Sequence, residues 1–274
     1  MPSRAELDRL LLAAQRAADA VDAIHAETPP PLQVDTKDDG SLLSQMDLAV
    51  EDAVQLVLAR ELPGSTVFGE ERSAAGDVAD LVAGRVDGWI LDPIDHTRHY
   101  VRGDAEFGML LGYLREGEAL VSCISAPRLG LRAWALAGCG AFVGGTQVRC
   151  APVTGLAEAE IAFAGFMEWG GAPRDLAAVL RRCAYPHGTR GGFLQQVRVA
   201  SGAVDAALEP WGAPWDHLPG ALLVAEAGGR ASALDGGPIG RTPDGGLLVS
   251  AAGIHDVILD LLHGRSDDEG RTLA

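Results

Sequence analysis

Between residues 106 and 144 the chain repeats one pattern: a mostly apolar run, then a turn too short to hold a helix. The runs are 106–115, 118–126, 130–137 and 140–144, and the turns lie at Arg115 to Gly117, Pro127 to Gly130 and Gly138 to Gly140. Strands joined so tightly must be antiparallel, because a parallel return needs a crossover of about a dozen residues. A meander therefore occupies the middle of the chain, and the rest must pack against it. Upstream, Leu7, Leu10, Leu11, Ala14, Ala18, Val21 and Ile24 fall at helical spacing over 5–27, ahead of Pro29-Pro30-Pro31. A polar turn follows at Lys37 to Gly40; Ser44 then caps a second expected helix that runs to about Leu62, with Asp47 and Glu51 in its first two turns. Thr66 to Phe68 and Val86 to Leu91 read as short strands.

After Gly155 the pattern changes. Strand 159–164, helix 174–183, helix 192–201, strand 203–209, helix 216–227, strands 230–234 and 246–250, and helix 254–263 alternate in α/β fashion. The expected division is an α+β part over 1–153, an α/β part over 154–264 and a flexible polar tail over 265–274. With 274 residues, 47% hydrophobic and 22% charged, the chain suits one large domain or two modest ones sharing a core. No apolar run approaches the ~20 residues of a membrane span, and the first residues lack the pattern of a signal peptide. A cytoplasmic location without membrane contact is expected.

Charge narrows the function. The formal net charge is -16, which repels nucleic acid over most of the surface. A phosphate compound could be handled only where something neutralises it, and a divalent cation is the obvious candidate. Cys123, Cys139, Cys150 and Cys183 have no zinc-type spacing and read as reduced thiols. Of the basic residues only Lys37 is a lysine.

Acidic residues gather where strands end. Glu70 and Glu71 follow one strand, Asp92 and Asp95 another, and Asp216 opens a helix far downstream. A carboxylate at the C-terminal end of a strand points out of the sheet, where ligands bind in layered folds. Pro93 makes the Asp92-Pro93-Ile94-Asp95 turn rigid, so both aspartates can face one point with the Ile94 carbonyl beside them. Such oxygen-only donors suit Mg²⁺ or Mn²⁺. Taken alone, Asp216 also reads as a helix cap and Glu71 as a surface charge. Trp169 and Trp211, in Gly/Pro-rich loops, are candidates for the rim of a substrate pocket.

Gly69-Glu70-Glu71, the run Trp89 to Asp95 with Thr97, and Trp215-Asp216 with Glu226 to Gly229 together resemble the inositol monophosphatase superfamily. Ser125-Ala126-Pro127, Leu129-Gly130 and Glu209-Pro210 are most similar to its histidinol-phosphatase branch. The resemblance implies a layered α/β/α/β sandwich of the inositol monophosphatase/fructose-bisphosphatase type, and a homodimer. It implies a Mg²⁺-dependent phosphomonoesterase with two or three cations per site, Mn²⁺ being a possible substitute. The substrate would be a small phosphate monoester: histidinol phosphate, an inositol phosphate, or a related sugar or natural-product ester. Glu70, Asp92 and the Ile94 carbonyl would hold one metal, Asp92, Asp95 and Asp216 a second, and Glu70 with Asp47, through water, a looser third. Thr97 with Glu70 would orient the attacking water, and the amides of His96 and Thr97 would bind phosphate oxygens. Glu209, Gly192 and Lys37 would face the substrate.

Two positions depart from the family pattern. His96 stands where glycine is usual, and Gly192 where the histidinol-phosphatase branch usually carries an acid. Two alternatives stay open at this point: a catalytically silent paralogue that binds metal and phosphate, and a nucleotide 3′-phosphatase of the same superfamily.

Overall fold

A computed structural model describes residues 2–27, 33–37, 40–165, 169, 176–240 and 245–265. Pro29-Pro30-Pro31 and nearly all of the tail lie outside them. Helix α1 (Arg4–Glu27) and helix α2 (Gln45–Glu61) form the first layer, joined through a small antiparallel hairpin of β1 (Val34–Thr36) and β2 (Leu42–Ser44). Helix α2 starts where expected. The Ser44 hydroxyl accepts from the Met46 amide at 3.2 Å, and Asp47 Oδ2 accepts from the Ser44 amide at 2.7 Å. Two of the helix's orphan donors and its entry strand are fixed at once.

The second layer is a seven-stranded sheet whose strands follow chain order: β3 (Val67–Gly69), β4 (Gly88–Asp95), β5 (Gly108–Arg115), β6 (Glu118–Ala126), β7 (Leu131–Leu136), β8 (Gly140–Val143) and β9 (Thr146–Val148). From β4 onward every pairing is antiparallel, as the short turns require. β3 instead pairs parallel to β4, and a helix that the sequence reading left out, α3 (Ala75–Val82), carries the chain across between them. The middle strands are apolar without alternation because helices cover both faces: Cys123, Met109 and Leu111 pack towards α1 and α2, and Leu110, Ile124 and Ala126 towards the opposite side.

A short helix, α4 (Thr97–Val101), follows β4. The second sheet holds β10 (Glu160–Ala164), β11 (Tyr185–Thr189), β12 (Ala206–Glu209), β13 (Gly229–Ala233) and β14 (Leu247–Ala251) in the order β11-β10-β12-β14-β13. Helix α5 (Leu176–Leu180) and helix α8 (His255–Leu262) cover its outer face, while α6 (Phe193–Ala200) and α7 (Pro214–Glu226) fill the space between the two sheets. The layering is thus the expected α/β/α/β sandwich with a further helical layer behind the second sheet. Helix 192–201 was expected, and α6 lies within it. β12 begins three residues later than read, because Gly202 and Ala203 still donate to the Val199 and Arg198 carbonyls in the turn that closes α6. β11 escaped notice because its sequence, Tyr-Pro-His-Gly-Thr, is exposed edge composition: a proline without an amide hydrogen is tolerated only there.

Candidate active site

The C-terminal ends of β4, β10, β11 and β12 and the starts of α6 and α7 line one cleft, and the end of β3 and the start of α2 approach it through Glu70 and Asp47. β4 loses its register with β5 between Asp92 and Asp95, where Pro93 cannot donate to the ladder. The Ile94 amide bonds instead to Asp92 Oδ1 at 2.9 Å, which locks the turn. Glu70 follows β3, and its amide is held by the Leu91 carbonyl at 3.1 Å, so the two strand ends are tied together. Asp216 enters from α7, reaching back to the Ala213 amide at 2.7 Å through Oδ2. It lies in the first turn rather than at the cap itself, but it performs the capping bond that its position suggested.

One oxygen each from Glu70, Asp92 and Asp216 falls within 4.8 Å of the others. Three carboxylates so close, one buried and two half-buried, repel one another. Burial raises the Asp92 pKa well above its ordinary value, and the charges of Glu70, Asp216 and Asp95 raise it further. Asp216 is raised by burial and then by Asp95 and Glu70. Glu70 is raised by burial, with Lys37 pulling the other way. A cluster of this kind is stable in its ionised form only with a cation, and its donors are all oxygen. These three residues could hold one.

The other acids are placed differently. Asp95 Oδ2 accepts from the Phe193 amide at 2.8 Å, joining the β4 turn to the start of α6. Asp47 spends Oδ2 on Ser44 and keeps Oδ1 at 3.3 Å from the Thr97 hydroxyl. That hydroxyl also lies 3.0 Å from the Ile94 carbonyl, whose second lone pair remains available. Lys37 Nζ is 2.7 Å from both Glu70 Oε1 and Glu71 Oε1. Burial opposes its ammonium, but the two glutamates outweigh that and hold its pKa above the usual value. The surface reading of Glu71 does not stand: its side chain is only 3% exposed, and burial pushes its pKa up to about 7. Lys37 thus touches the acid cluster rather than open solvent.

Glu51 is a member that sequence reasoning missed. It is fully buried under β3, and its Oε2 accepts from the Glu71 amide at 3.2 Å. A side chain at Gly69 would run into this carboxyl group, which explains a glycine before the two glutamates. The signal was there: Glu51 stands four residues after Asp47, one turn along the same helix face.

A cleft of about 320 Å³ opens beside the cluster, lined by Asp95, His96, Gly192, Glu209, Trp211 and Asp216 among others. Of the two candidate rim tryptophans, Trp211 is there, exposed at the edge. Trp169 is not. It is buried in the core behind the second sheet, with its indole N–H donating to the Ala164 carbonyl at 2.7 Å. Glu209 is buried and its Oε1 has no partner among the described residues. Burial, then the charge of Asp95, pushes its pKa up to about 7.

The Glu209 shift carries a sign. The folded state holds this proton between about pH 4.5 and 7, where the unfolded chain has lost it. The corresponding stability is complete below that window and lost as pH rises through it. Without metal, Glu209→Gln should therefore match the parent protein near pH 5 and be the more stable of the two at pH 8, by on the order of 2–3 kcal/mol. Thermal unfolding in chelator at both pH values measures this; the same difference at both would contradict it.

The layered sandwich with an oxygen-donor cluster at its strand ends is that of a cation-binding α/β protein, and likeness to known proteins gives the family. The sequence model of the inositol monophosphatase family matches residues 6–266, and the chain belongs to that family of phosphatases. It is 36% identical over 239 residues to a histidinol-phosphatase of Mycobacterium tuberculosis, covering 85% of this chain and 88% of the relative. It is 34% identical over 260 residues to a histidinol-phosphatase of Streptomyces coelicolor, covering 90% and 94%. Among solved structures, an IMPase/NADP phosphatase complexed with Mg²⁺ and phosphate superposes with a TM-score of 0.75 at 22% identity, covering 93% of this chain and 94% of that one. No helix among the described residues is long and apolar enough to cross a membrane.

Proposed function

We propose that the protein is a Mg²⁺-dependent phosphomonoesterase acting on a small phosphorylated alcohol. The observation that carries this is the trio Glu70, Asp92 and Asp216, with Asp92 buried and the other two half-buried, mutually repelling and beside a cleft wide enough for a metabolite. Histidinol phosphate, an inositol phosphate, or a related sugar or natural-product ester fits the reading.

In this proposal Glu70, Asp92 and the Ile94 carbonyl would hold one cation, Asp92, Asp95 and Asp216 would hold a second, and Glu70 with Asp47 would contribute to a looser third. Bound divalent cations supply Lewis acidity at phosphoryl oxygens and make a water acidic enough to serve as nucleophile near neutral pH. The chain's own residues do the rest. Thr97, its hydroxyl pinned between Asp47 and the Ile94 carbonyl, and Glu70, fixed by Lys37, orient the attacking water. The amides of His96 and Thr97 precede the first helical bonds of α4, which His99 and Tyr100 donate to the His96 carbonyl at 2.8 and 3.0 Å. No helical bond of α4 uses them, and in this reading they meet phosphate oxygens. Lys37 limits the negative field that the anionic ester must cross.

Glu209, which lines the cleft and has one oxygen without a partner among the described residues, is assigned to the leaving alcohol. Glu209→Gln should raise KM or reorder substrates, with little effect on Mg²⁺ affinity. Loss of metal binding together with equal losses on every ester would contradict that role. The reading as a whole is tested by phosphate release with Mg²⁺ from histidinol phosphate, inositol 1-phosphate, fructose 1,6-bisphosphate and adenosine 3′,5′-bisphosphate. Metal-dependent release from at least one monoester is expected. Release from none would overturn the reading, and preference for the nucleotide would move the substrate to another branch.

A further inference from the structure

We infer that His96 and Gly192 act as one unit that sets the size of the leaving-group pocket: the imidazole of His96 fills the space a side chain at 192 would take. The inference rests on the phosphatase reading above. Position 192 is the glycine before α6, with φ 71° and ψ -169°, a conformation essentially restricted to glycine. A Cβ placed there would collide with His96 Nε2 and lie 2.6 Å from Asp95 Oδ2. The ring and the Asp95 carboxylate together leave no room for more than hydrogen between the turn after β4 and the start of α6.

The ring is held in that place. His96 has φ 69° and ψ 43°, left-handed backbone that is uncommon outside glycine but that histidine adopts more readily than most residues. Its side chain is 12% exposed, so the ring does not point to solvent. Nδ1 lies 3.3 Å from the Glu106 carbonyl; a carbonyl only accepts, so Nδ1 is the donor in this bond and Nε2 faces Gly192. The ring sits edge-on to His99 with centroids 4.7 Å apart, and Phe193 lies beside it at 6.1 Å. Both His96 and Gly192 line the cleft next to Glu209, on the side assigned to the alcohol. The imidazole therefore forms a wall there. Compact alcohols fit in front of it, and bulky ones meet it.

The test removes the ring but keeps the backbone. Asparagine tolerates left-handed φ better than most residues, so His96→Asn leaves the turn in place. The readouts are kcat/KM for glycerol 1-phosphate and inositol 1-phosphate, and the melting midpoint of His96→Asn, Gly192→Ala and the double variant. His96→Asn should shift the ratio of kcat/KM at least fivefold towards the bulkier ester, chiefly through its KM. Gly192→Ala should lower the melting midpoint more in the parent protein than in the His96→Asn background, because only the parent has a ring for the new methyl to strike. An unchanged ratio would overturn the pocket role, and equal melting losses in both backgrounds would overturn the shared space. Failure of the phosphatase reading is distinguishable. The unsubstituted protein would then release phosphate from neither ester, which removes the pocket role, while the melting comparison still decides whether the two positions share one space.

Discussion

Asp92→Asn should lower Mg²⁺-dependent phosphate release by at least about a thousandfold while leaving the fold intact. The side chain is 2% exposed, sits within 4.8 Å of Glu70 and Asp216, and is the proposed ligand of two cations. Losing one charge from the ligand set would weaken the hold on any cation bound there, and about 4 kcal/mol of transition-state stabilisation is a factor of a thousand. Stability should move the other way. Asn keeps an oxygen in place of Asp92 Oδ1 and can still accept from the Ile94 amide, so the turn survives. It also removes a carboxylate whose neighbours repel it, so in chelator the variant should melt no lower than the parent. Two measurements are needed, phosphate release in excess Mg²⁺ and thermal unfolding without it. Full activity in a well-folded Asp92→Asn protein would falsify the assignment of the site.

The second large effect is on stability. In chelator at pH 8 the acid cluster is poorly compensated: among the described residues the Lys37 ammonium bonds Glu70 and Glu71. Mg²⁺ at about a hundredfold above its dissociation constant should then stabilise the fold by about 2.7 kcal/mol, or about 5–10 °C in melting midpoint. The gain should shrink as pH falls. Asp92, Asp216 and Glu70 all have raised pKa values without metal, so a cation must displace protons to bind. A titration of melting midpoint against Mg²⁺ at pH 8 and pH 5.5 measures both effects. No Mg²⁺ response at pH 8, or an equal response at both, would sink the proposed site. Asp216→Asn should reduce the response more selectively than Asp92→Asn, since Asp216 is assigned to one cation only.

Much of this was legible because local chemistry decided it. Short turns between apolar runs leave only antiparallel pairing, so the meander from β5 to β8 followed from spacing. Ser44 with Asp47 three residues later marks a helix start by hydrogen bonding within one turn. The β4 turn followed from proline's missing amide hydrogen. Elements whose identity depends on neighbours were less legible. β11 is a strand because β10 offers it an edge, and nothing in Tyr185 to Thr189 says so. α3 is short and contains Gly76, and it forms where β3 and β4, running parallel, must be joined.

The site divides in the same way. From sequence alone came the acidic residues at strand ends, the rigid turn that carries two of them, and a net charge that called for a cation. Only the folded chain decided which acids meet. Glu70, Asp92 and Asp216 come together because three distant segments end at one point, while Asp95 turns to α6 and Asp47 to its own helix cap. Tertiary packing also buried Glu71 and Glu51, sent Trp169 to the core and left Trp211 at the rim. It placed the imidazole of His96 against Gly192, two departures 96 residues apart that no local rule connects. The physical reason is range. Turn geometry, capping and proline chemistry act over a few residues and can be read along the chain. Burial, charge repulsion and the filling of space depend on which surfaces meet, and that is settled only when the layers close.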